Sequence, residues 1–61
     1  MPFVQIELLE GRTLEQKRDL AKKVTAAVVE SVNCPTEAVK IIIRDMPKHH
    51  LAEGGILRSD R

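Results

Sequence analysis

The chain opens Met1-Pro2, and an initiator methionine is removed efficiently when the next residue is small. The mature chain is therefore expected to begin at Pro2, with a secondary amine at its terminus. An ordinary α-amino group titrates near about 7.7 to 8.0, and an apolar pocket lowers that value because desolvation disfavours the ammonium form. A base near neutrality results, with its lone pair aimed by whatever strand holds the ring. Taken alone, a proline in this position more often has no chemical role. Arg12 follows Gly11; its planar fork of donors could hold a carboxylate in two parallel hydrogen bonds, although a solvated turn arginine is the plainer reading. Cys34 is the only cysteine and precedes Pro35. His49-His50 places two rings in different directions, so no convergent set of metal ligands is expected and no metal site is assigned.

These residues need elements to position them. Val4, Ile6 and Leu8 alternate with Phe3, Gln5 and Glu7, the period of two that marks a strand. Gly11 permits a turn, and Thr13 with Gln16 three positions later matches a capping box, so a helix should begin near Leu14. Leu20, Ala21, Val24, Ala27, Val28 and Val32 recur at spacings of three and four, giving one buried face as far as Val32. Lys17, Arg18, Lys22, Lys23 and Glu30 fall largely off that stripe, and their basic surface reads as a solvated face. Such a helix is roughly 28 Å long, enough to return the chain along the first strand. Asn33 can stop it in the left-handed conformation, and Pro35 discourages continuation.

Ala38 to Asp45 reads as a second, central strand, with Val39, Ile41 and Ile43 on one face and Lys40, Ile42 and Arg44 on the other. Strand, helix and strand make a βαβ unit with parallel strands and a right-handed crossover, an α/β (α+β) arrangement. Beyond Pro47 the pattern weakens, and Gly54-Gly55 suggests a hairpin or a flexible tip.

With 61 residues, a single domain covering 1–61 is expected, and a chain this short buries only about 60% of the surface its unfolded form exposes. One cysteine allows no internal disulfide, which leaves subunit association as the expected remedy. Two strands and one helix cannot cover both faces of their sheet, and Ile42 lies opposite Ile41 and Ile43. Strands and helices of another copy would cover it. Ten basic and nine acidic residues give a net charge of +1, too weak a field to indicate nucleic acid or an anionic membrane. Phe3 is the only aromatic residue among Phe, Trp and Tyr, so stacking platforms for single strands are missing too. The longest apolar run, Ile41-Ile42-Ile43, is far below the roughly 20 residues of a membrane span. A cytoplasmic protein is expected.

The run Pro2-Phe3-Val4-Gln5-Ile6-Glu7-Leu8-Leu9-Glu10-Gly11-Arg12-Thr13, followed by Glu15-Gln16-Lys17, resembles the opening of the 4-oxalocrotonate tautomerase family. Val24, Ala27, the Pro35 turn, the strand from Val39 to Ile43, Met46, His50 and Gly54-Gly55 keep the family's spacing, so the resemblance covers nearly the whole chain. It implies a βαβ subunit of the tautomerase (MIF-like) fold with a short C-terminal hairpin, assembled as a homohexamer, usually a trimer of dimers, with sites built from more than one chain. It also implies cofactor-independent isomerase chemistry on small unsaturated acids such as 2-hydroxymuconate, an intermediate of aromatic-compound catabolism. In this reading Pro2 removes the proton of the 2-hydroxyl and returns it to C5. Arg12 matches the arginine that binds the distal carboxylate, and the backbone amide of Leu9 matches a position implicated in substrate binding.

Two positions depart from the best-known members. Lys40 stands where they carry a second active-site arginine, which keeps the charge but loses the fork. Leu51 stands where they place an aromatic wall; it remains apolar and can still desolvate Pro2. Arg44, on the same strand face as Lys40, offers a replacement charge, although a surface arginine is the simpler reading. Hydration or dehalogenation of small unsaturated acids by the same proline is the alternative within enzymes. A ribbon–helix–helix type DNA binder is the alternative from another class, and the near-neutral charge opposes it.

Overall fold

A computed structural model describes residues Pro2–Arg61. The expected removal of Met1 lies outside the described residues. The chain forms β1 (Phe3–Leu9), α1 (Leu14–Val32), β2 (Lys40–Met46), β3 (Ala52–Glu53) and β4 (Ile56–Leu57), with short 3-10 turns at Thr36–Ala38, Lys48–His50 and Arg58–Asp60.

β1 alternates exposed and half-buried residues from Phe3 to Leu8 as the period of two requires. Gly11, at φ 116°, turns the chain toward α1 in a backbone conformation that a side chain would strain. The Thr13 hydroxyl then accepts from the Gln16 amide at 3.1 Å, while the Gln16 side chain accepts from the Thr13 amide at 2.9 Å. This capping box satisfies two groups that the first turn leaves unpaired. At the other end Asn33 adopts the left-handed conformation (φ 58°) and donates its amide to the Val29 carbonyl.

The chain then returns beside β1. β1 and β2 pair in parallel, in register from Phe3 opposite Lys40 to Leu9 opposite Met46. The second strand starts two residues later than its composition suggests. Pro35 begins a 3-10 turn in which Ala38 donates to the Pro35 carbonyl and Val39 to that of Thr36, so hydrogen bonding inside the turn replaces pairing there. Within the subunit β2 pairs only with β1; a central position for it would need a strand from elsewhere. The C-terminal segment is a hairpin rather than a flexible tip, its β3 and β4 joined by Gly54 and Gly55 at φ 60° and 82°, the two positive values of a tight hairpin turn.

α1 covers one face of the sheet, the face carrying Val4, Ile6 and Leu8 with Ile41 and Ile43. Lys17 pairs with Asp45 across this contact. The opposite face, with Phe3, Gln5, Glu7, Lys40, Ile42 and Arg44, is uncovered, and Phe3 is 63% exposed. No described residue is fully buried. Ala27 and Val32, expected in the buried helical stripe, are exposed, Val32 by 59%. A two-stranded sheet is too narrow to cover that edge of the stripe. The subunit measures 43 × 24 × 13 Å with a radius of gyration of 14.6 Å, against about 10.5 Å for a compact chain of this length. Its accessible surface, 4761 Å², exceeds the roughly 4000 Å² expected of a compact monomer of its mass. Both figures describe an extended slab rather than a chain closed around its own core.

Candidate active site

The residues with chemical potential divide between the two ends of β1. At the first end the Lys40 amide donates to the Pro2 carbonyl at 2.9 Å. Pro2 is half-buried and Lys40 exposed, and this bond sets the backbone of a cationic residue next to Pro2. At the second end the Glu10 amide donates to the Met46 carbonyl at 2.9 Å. Both bonds connect even-numbered positions of β1 to β2, and backbone groups alternate sides along a parallel ladder. The amide of Leu9 therefore points to the open edge of β1, where it is available to a ligand. Arg12 follows that end, and a groove there is lined by Glu7, Leu8, Leu9, Glu10, Arg12 and Lys48.

Seven steps separate Pro2 from Leu9, roughly 23 Å at the usual rise of a strand. Pro2 and Lys40 thus sit together, Leu9 and Arg12 sit together, and no small acid can touch both pairs in one subunit. Leu51 belongs to the segment leaving the second end: its amide donates to the Lys48 carbonyl at 3.4 Å, and its carbonyl accepts from Arg58 at 2.8 Å. Half-buried at the base of the hairpin, it is held from both sides.

The basic residues separate by their partners. Arg18 pairs with Glu15 and Lys23 with Asp19 along α1, Arg58 with Glu53, and Arg61 donates to the Glu53 carbonyl. Arg44 lies opposite Glu7 in the ladder and pairs with it at 3.4 Å, which engages the charge that could have substituted for a second arginine. Among the described residues Arg12, Lys40 and Lys48 make no ion pair, and neither do Lys22 on α1 and Arg61. Arg12 and Lys40 are the cations given a site role in the sequence analysis. Lys48 was given none, although a signal existed: if Met46 ends β2 opposite Leu9, the residues just after Met46 must meet those just after Leu9.

A two-stranded parallel βαβ unit with a capped return helix, a terminal glycine hairpin and unpaired cations near both ends of β1 has close counterparts. Residues 2–61 match the family described as tautomerase enzyme, and the chain belongs to the tautomerase family. A probable tautomerase from Streptococcus pneumoniae serotype 4 is 54% identical over 59 residues, covering 97% of this chain and 98% of its own. The 2-hydroxymuconate tautomerase of Pseudomonas sp. strain CF600 is 44% identical over 55 residues, 90% of this chain and 87% of that one. A heterohexamer 4-oxalocrotonate tautomerase from Chloroflexus aurantiacus superposes with a TM-score of 0.92 at 37% identity, covering 98% of this chain and 97% of that chain. None of these comparisons favours the DNA-binding or the hydratase and dehalogenase alternatives. No described helix is long and apolar enough to cross a membrane.

Proposed function

We propose that this chain is a cytoplasmic, cofactor-independent keto–enol tautomerase, an isomerase of dienol and 2-oxo unsaturated acids such as 2-hydroxymuconate. It acts in aromatic-compound catabolism as a homohexamer of three dimers. With Met1 removed, the Pro2 nitrogen takes the proton of the 2-hydroxyl group. The electron pair moves through the diene, and the same nitrogen returns a proton to C5, giving the conjugated 2-oxo acid. Lys40 lies beside Pro2 and attracts the 2-oxo carboxylate end. Arg12 and the Leu9 amide, supplied by another copy, hold the distal carboxylate and draw electron density toward it as negative charge develops. Leu51 supplies an apolar wall that keeps water from the amine.

One observation carries this reading: the residues proposed for the site, Pro2 and Lys40 on one side and Leu9 and Arg12 on the other, lie at opposite ends of β1, and no described residue is buried. A second copy would supply both the missing core and the missing half of the site. Relatives called tautomerase support the chemistry, and the Chloroflexus heterohexamer supports assembly of subunits of this shape.

The test is ultraviolet ketonisation of 2-hydroxymuconate by protein of verified mass. Chains beginning at Pro2 should turn it over, whereas chains retaining Met1 should not, because their Pro2 nitrogen is an amide without a free lone pair. Equal turnover by both forms would require a base other than Pro2.

A further inference from the structure

Arg12 does not stand alone at its end of β1. Lys48 lines the same groove, and neither cation makes an ion pair among the described residues. Of the two acids there, Glu7 is engaged by Arg44 at 3.4 Å. The lining acids Glu7 and Glu10 match the cations Arg12 and Lys48 in number, and Arg44 on the adjoining strand, paired to Glu7, brings the local balance to one positive charge.

Lys48 is also held in place. It opens a 3-10 turn whose flanking Pro47 carbonyl accepts from the His50 amide at 2.9 Å, and its own carbonyl accepts from Leu51. One short turn thus fixes the backbone from which both Lys48 and the apolar residue proposed as the wall project.

We propose that Lys48 is a second cation for the carboxylate bound by Arg12, and that it sets this enzyme's preference for diacids over monoacids. The proposal rests on the functional reading above. A carboxylate offers about four lone-pair sites on two oxygens. The Arg12 fork can occupy two of them in parallel, leaving others for an ammonium, which binds as a compact charge without needing the fork's geometry. With only a lysine beside Pro2, the distal carboxylate becomes the better-held end of the substrate.

The experiment compares wild type, Lys48→Ala, Lys48→Gln, Lys48→Arg and Arg12→Ala, all verified to begin at Pro2, on 2-hydroxymuconate and on a monoacid dienol lacking the distal carboxylate. Lys48→Ala and Lys48→Gln should each raise KM for the diacid about tenfold, equivalent to ~1.4 kcal/mol of lost binding. Their kcat/KM for the diacid should fall at least as far, since charge also develops at that carboxylate during the reaction, while kcat/KM for the monoacid should move far less. Lys48→Arg should recover most of the diacid affinity. Equal changes on both substrates, an unchanged diacid KM, or loss of assembly in both neutral variants that Lys48→Arg rescues without restoring diacid selectivity would overturn the assignment. If Arg12→Ala loses diacid selectivity and the Lys48 variants do not, only the role of Lys48 fails. If Arg12→Ala affects both substrates equally, or wild type acts on neither, the functional reading fails with it.

Discussion

Lys40 donates its backbone amide to the Pro2 carbonyl at 2.9 Å, which fixes the backbone of a cationic residue beside Pro2, while Arg12 is carried past the far end of the same strand. The division of the proposed site between copies follows from that hydrogen bond and the unbroken register behind it.

Inactive subunits should therefore rescue one another. Pro2→Ala and Arg12→Ala chains, unfolded together and reassembled in equal amounts, can form sites that take Pro2 from one mutant and Arg12 from the other. If chains mix at random and each site draws on two of them, about one quarter of sites carry both native residues. Steady-state ketonisation should rise to about that fraction of wild type. Activity no higher than the mean of the separate mutants would mean that one chain supplies both groups.

Association should be inseparable from folding. No described residue is buried and the slab is 13 Å thick in its shortest dimension, so a lone subunit lacks the interior that offsets its lost chain entropy. Sedimentation at micromolar concentration should show a hexamer, and thermal unfolding should shift upward as protein concentration rises. A folded monomer at that concentration would remove the structural basis for shared sites.

At the Pro2 end, Lys40→Arg should restore a bidentate partner for the 2-oxo acid. The expected gain in kcat/KM for 2-hydroxymuconate is about three- to tenfold, the scale of one improved charge-assisted hydrogen bond. A loss of activity would show that the pocket is shaped around the slimmer ammonium.

Thr13→Ala should lower stability by about 1 kcal/mol per subunit, since it removes the hydroxyl that accepts from Gln16 at the start of α1. Urea titration at fixed protein concentration measures it. Turnover well below the transition should be retained, because the cap touches neither end of the proposed site except through the helix.

Much of the subunit was legible from local patterns. The bounds of β1 and α1 follow from alternation and from the Thr13 and Gln16 pair, both of which act within a few residues. The start of β2 was displaced because Thr36–Ala38 satisfies its backbone groups inside a turn, a choice that strand propensity does not register. Ala27 and Val32 carry the helical period of a buried face, yet whether such a face is covered depends on what lies across from it, and here one subunit does not suffice. For the candidate site, Pro2 and Arg12 stood out by residue type and position, whereas Leu9, Lys40 and Leu51 were named only through the family resemblance. Their separation into two ends, and the arrival of Lys48 beside Arg12, required the parallel register.

The uncovered sheet face has a consequence for inheritance. In the proposed assembly, one gene writes both sides of every contact, so a single codon change at Phe3 or Ile42 appears in all subunits at once. Its energetic effect is multiplied by the number of copies and is never diluted by an unchanged neighbour. A mutation that looks superficial on the isolated chain is then, for the organism, a simultaneous edit at several points of one interior.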